Sequence, residues 1–147
     1  MPRYVGVDLH RRRSQVVVLA EDGEMLSSVN VDNREPAELI AAVSAGGVGC
    51  GVVLEAAWGW YWIADLLSDA GFEVHLAHPL GVAGYQNRRV KNDERDAILL
   101  ADLLRMGSMP RHRTASPHNR GTEQAPPTTP STTVNKEQPA RNRRLRP

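Results

Sequence analysis

The sequence predicts an α/β domain with a mixed five-stranded sheet flanked by helices, and three observations predict it. Three short apolar, β-branched runs come first, divided by turn chemistry. Two later apolar runs, at residues 48–55 and 72–77, alternate with segments of helical period. The resulting order, β-β-β-α-β-α-β-α, is a meander followed by crossover units, and 147 residues suffice for one such domain with a real core.

Each element has its own signal. Residues 4–9, Tyr-Val-Gly-Val-Asp-Leu, read as the first strand. After Arg11-Arg12-Arg13, residues 14–20 form the second, built on Val16-Val17-Val18. Glu21-Asp22-Gly23-Glu24 supplies the Asp-Gly pair that tight hairpins favour, and residues 25–31 return as the third strand. Asn33, Glu35 and Pro36 are helix-start chemistry; Leu39, Ile40 and Val43 give the helix an apolar face, and Gly46-Gly47 stop it. Residues 48–55 are almost wholly apolar, as expected of a strand buried on both faces, with Cys50 a small buried residue within it.

The second helix is expected over 58–70 with Gly71 as its C-terminal stop, and the fifth strand over 72–77, ended by His78-Pro79. A short loop or helical turn then leads to Arg88-Arg89-Val90-Lys91. The third helix starts at Asn92 or Asp93, carries Ala97, Leu100, Ala101 and Leu104 at helical spacing, and ends near Gly107. The fifth strand should lie parallel to the fourth through a right-handed connection.

Composition divides the chain near Pro110. Residues 1–110 carry ten Lys or Arg against fifteen Asp or Glu; residues 111–147 carry eight against two and lack Trp, Tyr, Phe, Ile and Met. A folded domain over 1–109 and a disordered, basic, Pro/Thr/Arg-rich tail over 110–147 are the expectation, because the tail has too little apolar surface to offset its ordering entropy. One cysteine excludes an intrachain disulfide and suits a reducing compartment. No stretch approaches a membrane span or a secretory signal, so a cytoplasmic protein with no membrane partner is expected.

Chemistry concentrates on four carboxylates. Asp8 lies inside the first strand with apolar neighbours on both sides, and Glu55 ends the fourth. Asp93 and Asp96, three apart, share one face of the third helix. Each has an ordinary explanation: Asp93 and Asp96 favour the helix dipole, and Glu55 suits a surface. Asp8 is harder to explain that way, because a carboxylate inside an apolar run is costly to bury without something positive. Two strand carboxylates plus a helical pair suit hard divalent cations, Mg²⁺ or Mn²⁺, with two ions serving phosphodiester chemistry. The two carboxylate-bearing strands must be neighbours for this to hold. Arg88, Arg89 and Lys91 are the cations expected to hold nucleic-acid phosphates. Trp58, Tyr61 and Trp62 could stack on splayed bases but are expected to pack against the sheet; His10, two residues past Asp8, could contact a metal or phosphate but is expected to be an ordinary polar residue, and His75 a structural one.

Tyr-Val-Gly-Val-Asp8-Leu-His, Val-Leu-Glu55-Ala, His-Pro79 and Lys91-Asn-Asp93-Glu-Arg-Asp96-Ala together resemble the DEDD transposases of bacterial insertion sequences, of the IS-one-ten type. The resemblance covers residues 3 to about 109. It implies an RNase-H-like, RuvC-like domain in which Asp8, Glu55, Asp93 and Asp96 are the catalytic, metal-binding residues. It also implies DNA as partner, with a structured guide RNA and a homo-oligomer as further partners. Asn92 stands where the family usually has Thr. Family members continue into a helical segment and a second domain with a catalytic serine, which residues 110–147 do not resemble. With sixteen Arg against two Lys the gene is GC-rich, and a frameshifted or truncated copy, not competent alone, is the expectation.

Two other functions compete. A non-enzymatic remnant that binds nucleic acid or a partner would keep the carboxylates without completing a reaction. An ATPase of the actin and sugar-kinase type also opens with an Asp-bearing strand and hairpin. It needs a Gly- and Ser/Thr-rich phosphate loop, which Leu9-His10-Arg11-Arg12-Arg13 is not.

Overall fold

A computed structural model describes residues 1–57, 59–83, 92–109 and 113–114. Six strands form one sheet in the order β3-β2-β1-β4-β5-β6. β1 (Arg3–Leu9), β2 (Arg13–Ala20) and β3 (Met25–Asp32) make the antiparallel meander. β4 (Gly51–Glu55) lies parallel to β1, and β5 (Glu73–Ala77) parallel to β4. The neighbouring of β1 and β4 that the carboxylates require is therefore met. The five expected strands are joined by a sixth, β6 (Arg113–Thr114), which pairs antiparallel with β5. The other residues after 109, and Arg88, Arg89 and Lys91, lie outside the described residues.

Alternation along the strands sends side chains to two cores. Val5, Val7, Val16, Val18, Val52 and Leu54 face α1 (Pro36–Ser44) and α2 (Tyr61–Asp69), where Leu39, Val43, Ile63 and Leu67 complete a fully buried cluster. Val17, Leu19 and Val53 face the other way, toward Ala97, Leu100, Ala101 and Leu103 of α4 (Asp93–Arg105). Between α2 and α4 comes a short helix, α3 (Pro79–Ala83), following the helical-turn expectation.

α4 crosses β1 at Gly6, and that crossing sets where the helix starts. A Cβ at Gly6 would overlap the carbonyl oxygen of Ala97 and lie 2.8 Å from the amide nitrogen of Ala101. Gly6 with Ala97 and Ala101 thus lets helix backbone approach strand backbone closely, bringing the first turn of α4 above the C-terminal end of β1.

Several boundaries move for identifiable reasons. β4 begins at Gly51 rather than 48, because Gly47 and Gly49 take φ of 95° and 71° and turn the chain; Val48 is left exposed and Cys50 half-buried before the strand. α2 begins at Tyr61 because Gly59 takes φ 80°. The later start changes which aromatic is inside. Trp60 packs on the core, while Tyr61 and Trp62, expected there, are 41% and 38% exposed. Trp58 lies outside the described residues. The β2–β3 turn matches expectation, with Gly23 at φ 90° and its N–H donating to Ala20 O at 3.0 Å. No helix among the described residues is long and apolar enough to cross a membrane.

Candidate metal centre

Asp8 sits two residues past the Gly6 crossing and so on the same face as Gly6, which turns its carboxylate toward α4. It is buried. His10, just beyond the strand, places Nε2 2.8 Å from Asp8 Oδ2 and 3.1 Å from Asp93 Oδ1. One imidazole nitrogen therefore lies between a strand carboxylate and a helix carboxylate. Ligand atoms of Asp8, His10 and Asp93 all fall within 4.8 Å of one another. Asp8 and Asp93 are thus brought together through the His10 imidazole. Asp96 is near enough for its charge to act on Asp8. Glu55 follows Leu54, which pairs with Val7, as Asp8 follows Val7; the two acids thus lie at the same level near the C-terminal ends of adjacent parallel strands. Its alternation with Val53 turns Glu55 to the α4 face as well.

Local chemistry builds the helical half of the site. Asn92 caps α4, its side chain accepting from Glu94 N at 3.0 Å, a role that Thr also fills at helix starts. A second tie comes from the sheet. Asn30 Nδ2 donates to Gln15 Oε1 at 3.0 Å, Gln15 Nε2 donates to Ser28 Oγ at 2.9 Å, and Ser28 Oγ donates to Glu94. Gln15 is the cross-strand partner of Asp8. The donors all run one way and end on a carboxylate, so each bond strengthens the next. This chain fastens the first turn of α4 to β2 and β3, and with it Asp93 and Asp96.

Burial pushes the Asp8 carboxyl above the usual carboxylate range. The charge and hydrogen bond of His10 pull it down, while the charges of Asp96 and Asp93 push it up further. The consequence for stability has a definite sign. Between the ordinary carboxylate pKa and the raised folded value, the folded chain retains a proton that the unfolded chain has released. This contribution is fully present below that window and lost as pH rises through it. In chelator, Asp8→Asn should flatten the fall in stability from about pH 4 upward, measured as the difference between urea-unfolding curves of the two proteins across pH. A parallel pair of curves would exclude burial as the cause.

His10 is the residue that sequence reasoning set aside, preferring an ordinary polar role to a metal or phosphate contact. Its signal was its position two residues after a strand aspartate, where a side chain leaving the strand end can return to it. Nothing in the sequence indicated that Asp93 would arrive on its other side.

Comparison with known proteins supplies the family. Residues 5–123 match the family model described as transposase for the IS110 group with the DEDD signature. Among solved structures, RuvC of T. thermophilus, determined in complex with a Holliday junction substrate, superposes with a TM-score of 0.57 at 14% identity. The match covers 78% of this chain and 100% of that one. At that identity the likeness establishes the fold, which is RuvC-like and hence RNase-H-like. Among curated proteins nothing matches the sequence. The chain belongs to the IS110-type DEDD transposases.

Proposed function

We infer that residues 1–109 form the cation-holding half of a recombinase site that acts on DNA phosphodiesters, with Asp8, Glu55, Asp93 and Asp96 as its catalytic acids. The observation that carries this reading is the convergence of the buried Asp8 and the helical Asp93 on one imidazole nitrogen. A buried carboxylate with two further acids acting on it calls for positive charge. The donor set of carboxylate oxygens plus one imidazole suits Mg²⁺ or Mn²⁺. Asp8, Asp93 and His10 would hold one ion, with Asp96 and Glu55 available for a second. When bound, such ions lower the pKa of an attacking water or hydroxyl and stabilise the leaving oxygen of a phosphodiester.

The protein's own part is positioning. β1 and β4 fix Asp8 and Glu55 at one level, the Gly6 crossing and the Ser28–Glu94 tie fix the helical acids, and burial of Asp8 raises the strength of every interaction around it. Arg88, Arg89 and Lys91 remain candidates for holding phosphates. The non-enzymatic binding reading stands as the alternative; no observation favours the ATPase.

Binding of a labelled branched DNA, followed by anisotropy, tests the reading. Neutralised carboxylates cease to repel phosphate, so Mg²⁺ is expected to tighten binding by the wild type relative to Asp8→Asn under identical salt. Equal Mg²⁺ responses in the two proteins would overturn it. An excision assay in cells lacking related elements separates the two versions: junction products dependent on Asp8 would show the chain competent alone.

A further inference from the structure

The turn between β1 and β2 carries three consecutive arginines, Arg11, Arg12 and Arg13, all exposed and all directly after His10. Runs of surface cations usually sit on loosely held backbone; this one is braced. His10 N donates to Arg13 O at 2.9 Å and closes the turn. Asn33, just past β3, grips it from the side: its N–H donates to Arg12 O at 2.9 Å, and its Nδ2 donates to His10 O at 2.7 Å. The carbonyls on both sides of Arg11 are thus tied to one residue. The Oδ1 of Asn33 is occupied in turn by the hydroxyl of Ser14, 2.6 Å away and fully buried. Asn33, expected from sequence to begin a helix, holds this turn instead; the residue before α1 is Glu35, which makes no side-chain cap.

Two of the three cations on this turn, Arg11 and Arg12, make no ion pair among the described residues, whereas Arg13 acts on Asp32. Arg34 is paired with Asp32 at 2.7 Å and Arg105 with Asp102 at 2.8 Å. The guanidinium groups of Arg11 and Arg12 start within four residues of Asp8, at the same end of the sheet as the acids, in a segment that has five more acids than bases over residues 1–110.

We propose that the braced turn is a phosphate-holding lip of the carboxylate site, with Arg11 and Arg12 gripping backbone phosphates of the nucleic acid beside Asp8. The proposal rests on the nucleic-acid reading above. An acidic pocket repels the strand it must act on, and fixed cations on its rim counter that repulsion while leaving the pocket free for metal. Guanidinium forks match phosphate oxygens bidentately. A backbone held by Asn33 lets these side chains act from a defined origin, so less freedom is lost on contact.

Salt dependence distinguishes a phosphate lip from general basicity. The full chain and a labelled branched DNA are titrated by anisotropy over a range of KCl, for the wild type, Arg11→Gln/Arg12→Gln, and Arg3→Gln/Arg105→Gln. The last pair removes equal charge at the opposite end of β1 and α4. Each phosphate contact contributes about 0.9 to the slope of log K against log salt. The turn variant is expected to lose about two units of slope, and the remote variant to keep the wild-type slope. An unchanged slope in the turn variant, or an equal loss in both, would overturn the lip while leaving the nucleic-acid reading intact. No binding by the wild type at any salt would remove both.

Discussion

Gly6→Ala is expected to cost about 3 kcal/mol or more of folding stability, a large share of what a domain of this size possesses. The reason is the identity of what the new methyl meets. At Gly6 it overlaps the carbonyl oxygen of Ala97 and crowds the amide of Ala101, both backbone atoms of α4. Neither can rotate away, so the whole helix must lift from β1. Gly46 and Gly51 provide the contrast. A methyl at Gly46 lies 2.6 Å from Val5 Cγ2 and 2.7 Å from Cys50 Sγ, and one at Gly51 lies 3.0 Å from Leu104 Cδ2. Side-chain neighbours can yield, so Gly51→Ala should cost a fraction of the Gly6 value, with Gly46→Ala between. Guanidinium unfolding of the three variants gives the ranking. A Gly6→Ala protein as stable as Gly51→Ala would show that α4 does not lie as close to β1 as described. Lifting α4 also separates Asp93 from Asp8, so the variant that remains folded should lose cation binding with its stability.

Much of this architecture was legible in the sequence because period and punctuation agree. The triple-valine run, the Asp-Gly turn and the two later apolar runs fixed the meander and crossovers, and Asp8 announced itself by interrupting an apolar strand. What escaped depended on three-dimensional approach. That His10 would lie between Asp8 and Asp93 required knowing how closely α4 crosses β1, and Gly6 reads in sequence as a glycine that merely weakens a strand. Asn33 carried two compatible meanings, helix start and turn brace, and local chemistry could not choose between them. The exposed Tyr61 and Trp62 were misplaced because a left-handed Gly59 delays the helix and rotates its apolar face.

Asp8→Asn is expected to invert the stability order of two proteins according to whether metal is present. In chelator the variant should be the more stable. Burial opposes the charged Asp8 carboxylate, Asp96 and Asp93 repel it, and His10 offsets only part of that. An amide carries no charge to desolvate and can still hydrogen-bond His10. With Mn²⁺ the order should reverse. A ligand that binds only the folded state stabilises it by about 2.7 kcal/mol at a hundred times its dissociation constant. Loss of a coordinating carboxylate weakens affinity by at least about 100-fold, more than the loss of a residue that merely orients a ligand. The same Mn²⁺ concentration would then give the variant only about 0.4 kcal/mol. Thermal unfolding of both proteins, in chelator and across a Mn²⁺ titration, reads all four values. His10→Ala supplies the intermediate case: it removes a nitrogen donor and leaves the acids, so its metal response should be reduced and not abolished. An equal Mn²⁺ gain in wild type and Asp8→Asn would mean that the ion binds elsewhere, for instance among exposed acids. The convergence of Asp8, His10 and Asp93 would then be a hydrogen-bond cluster serving the fold alone.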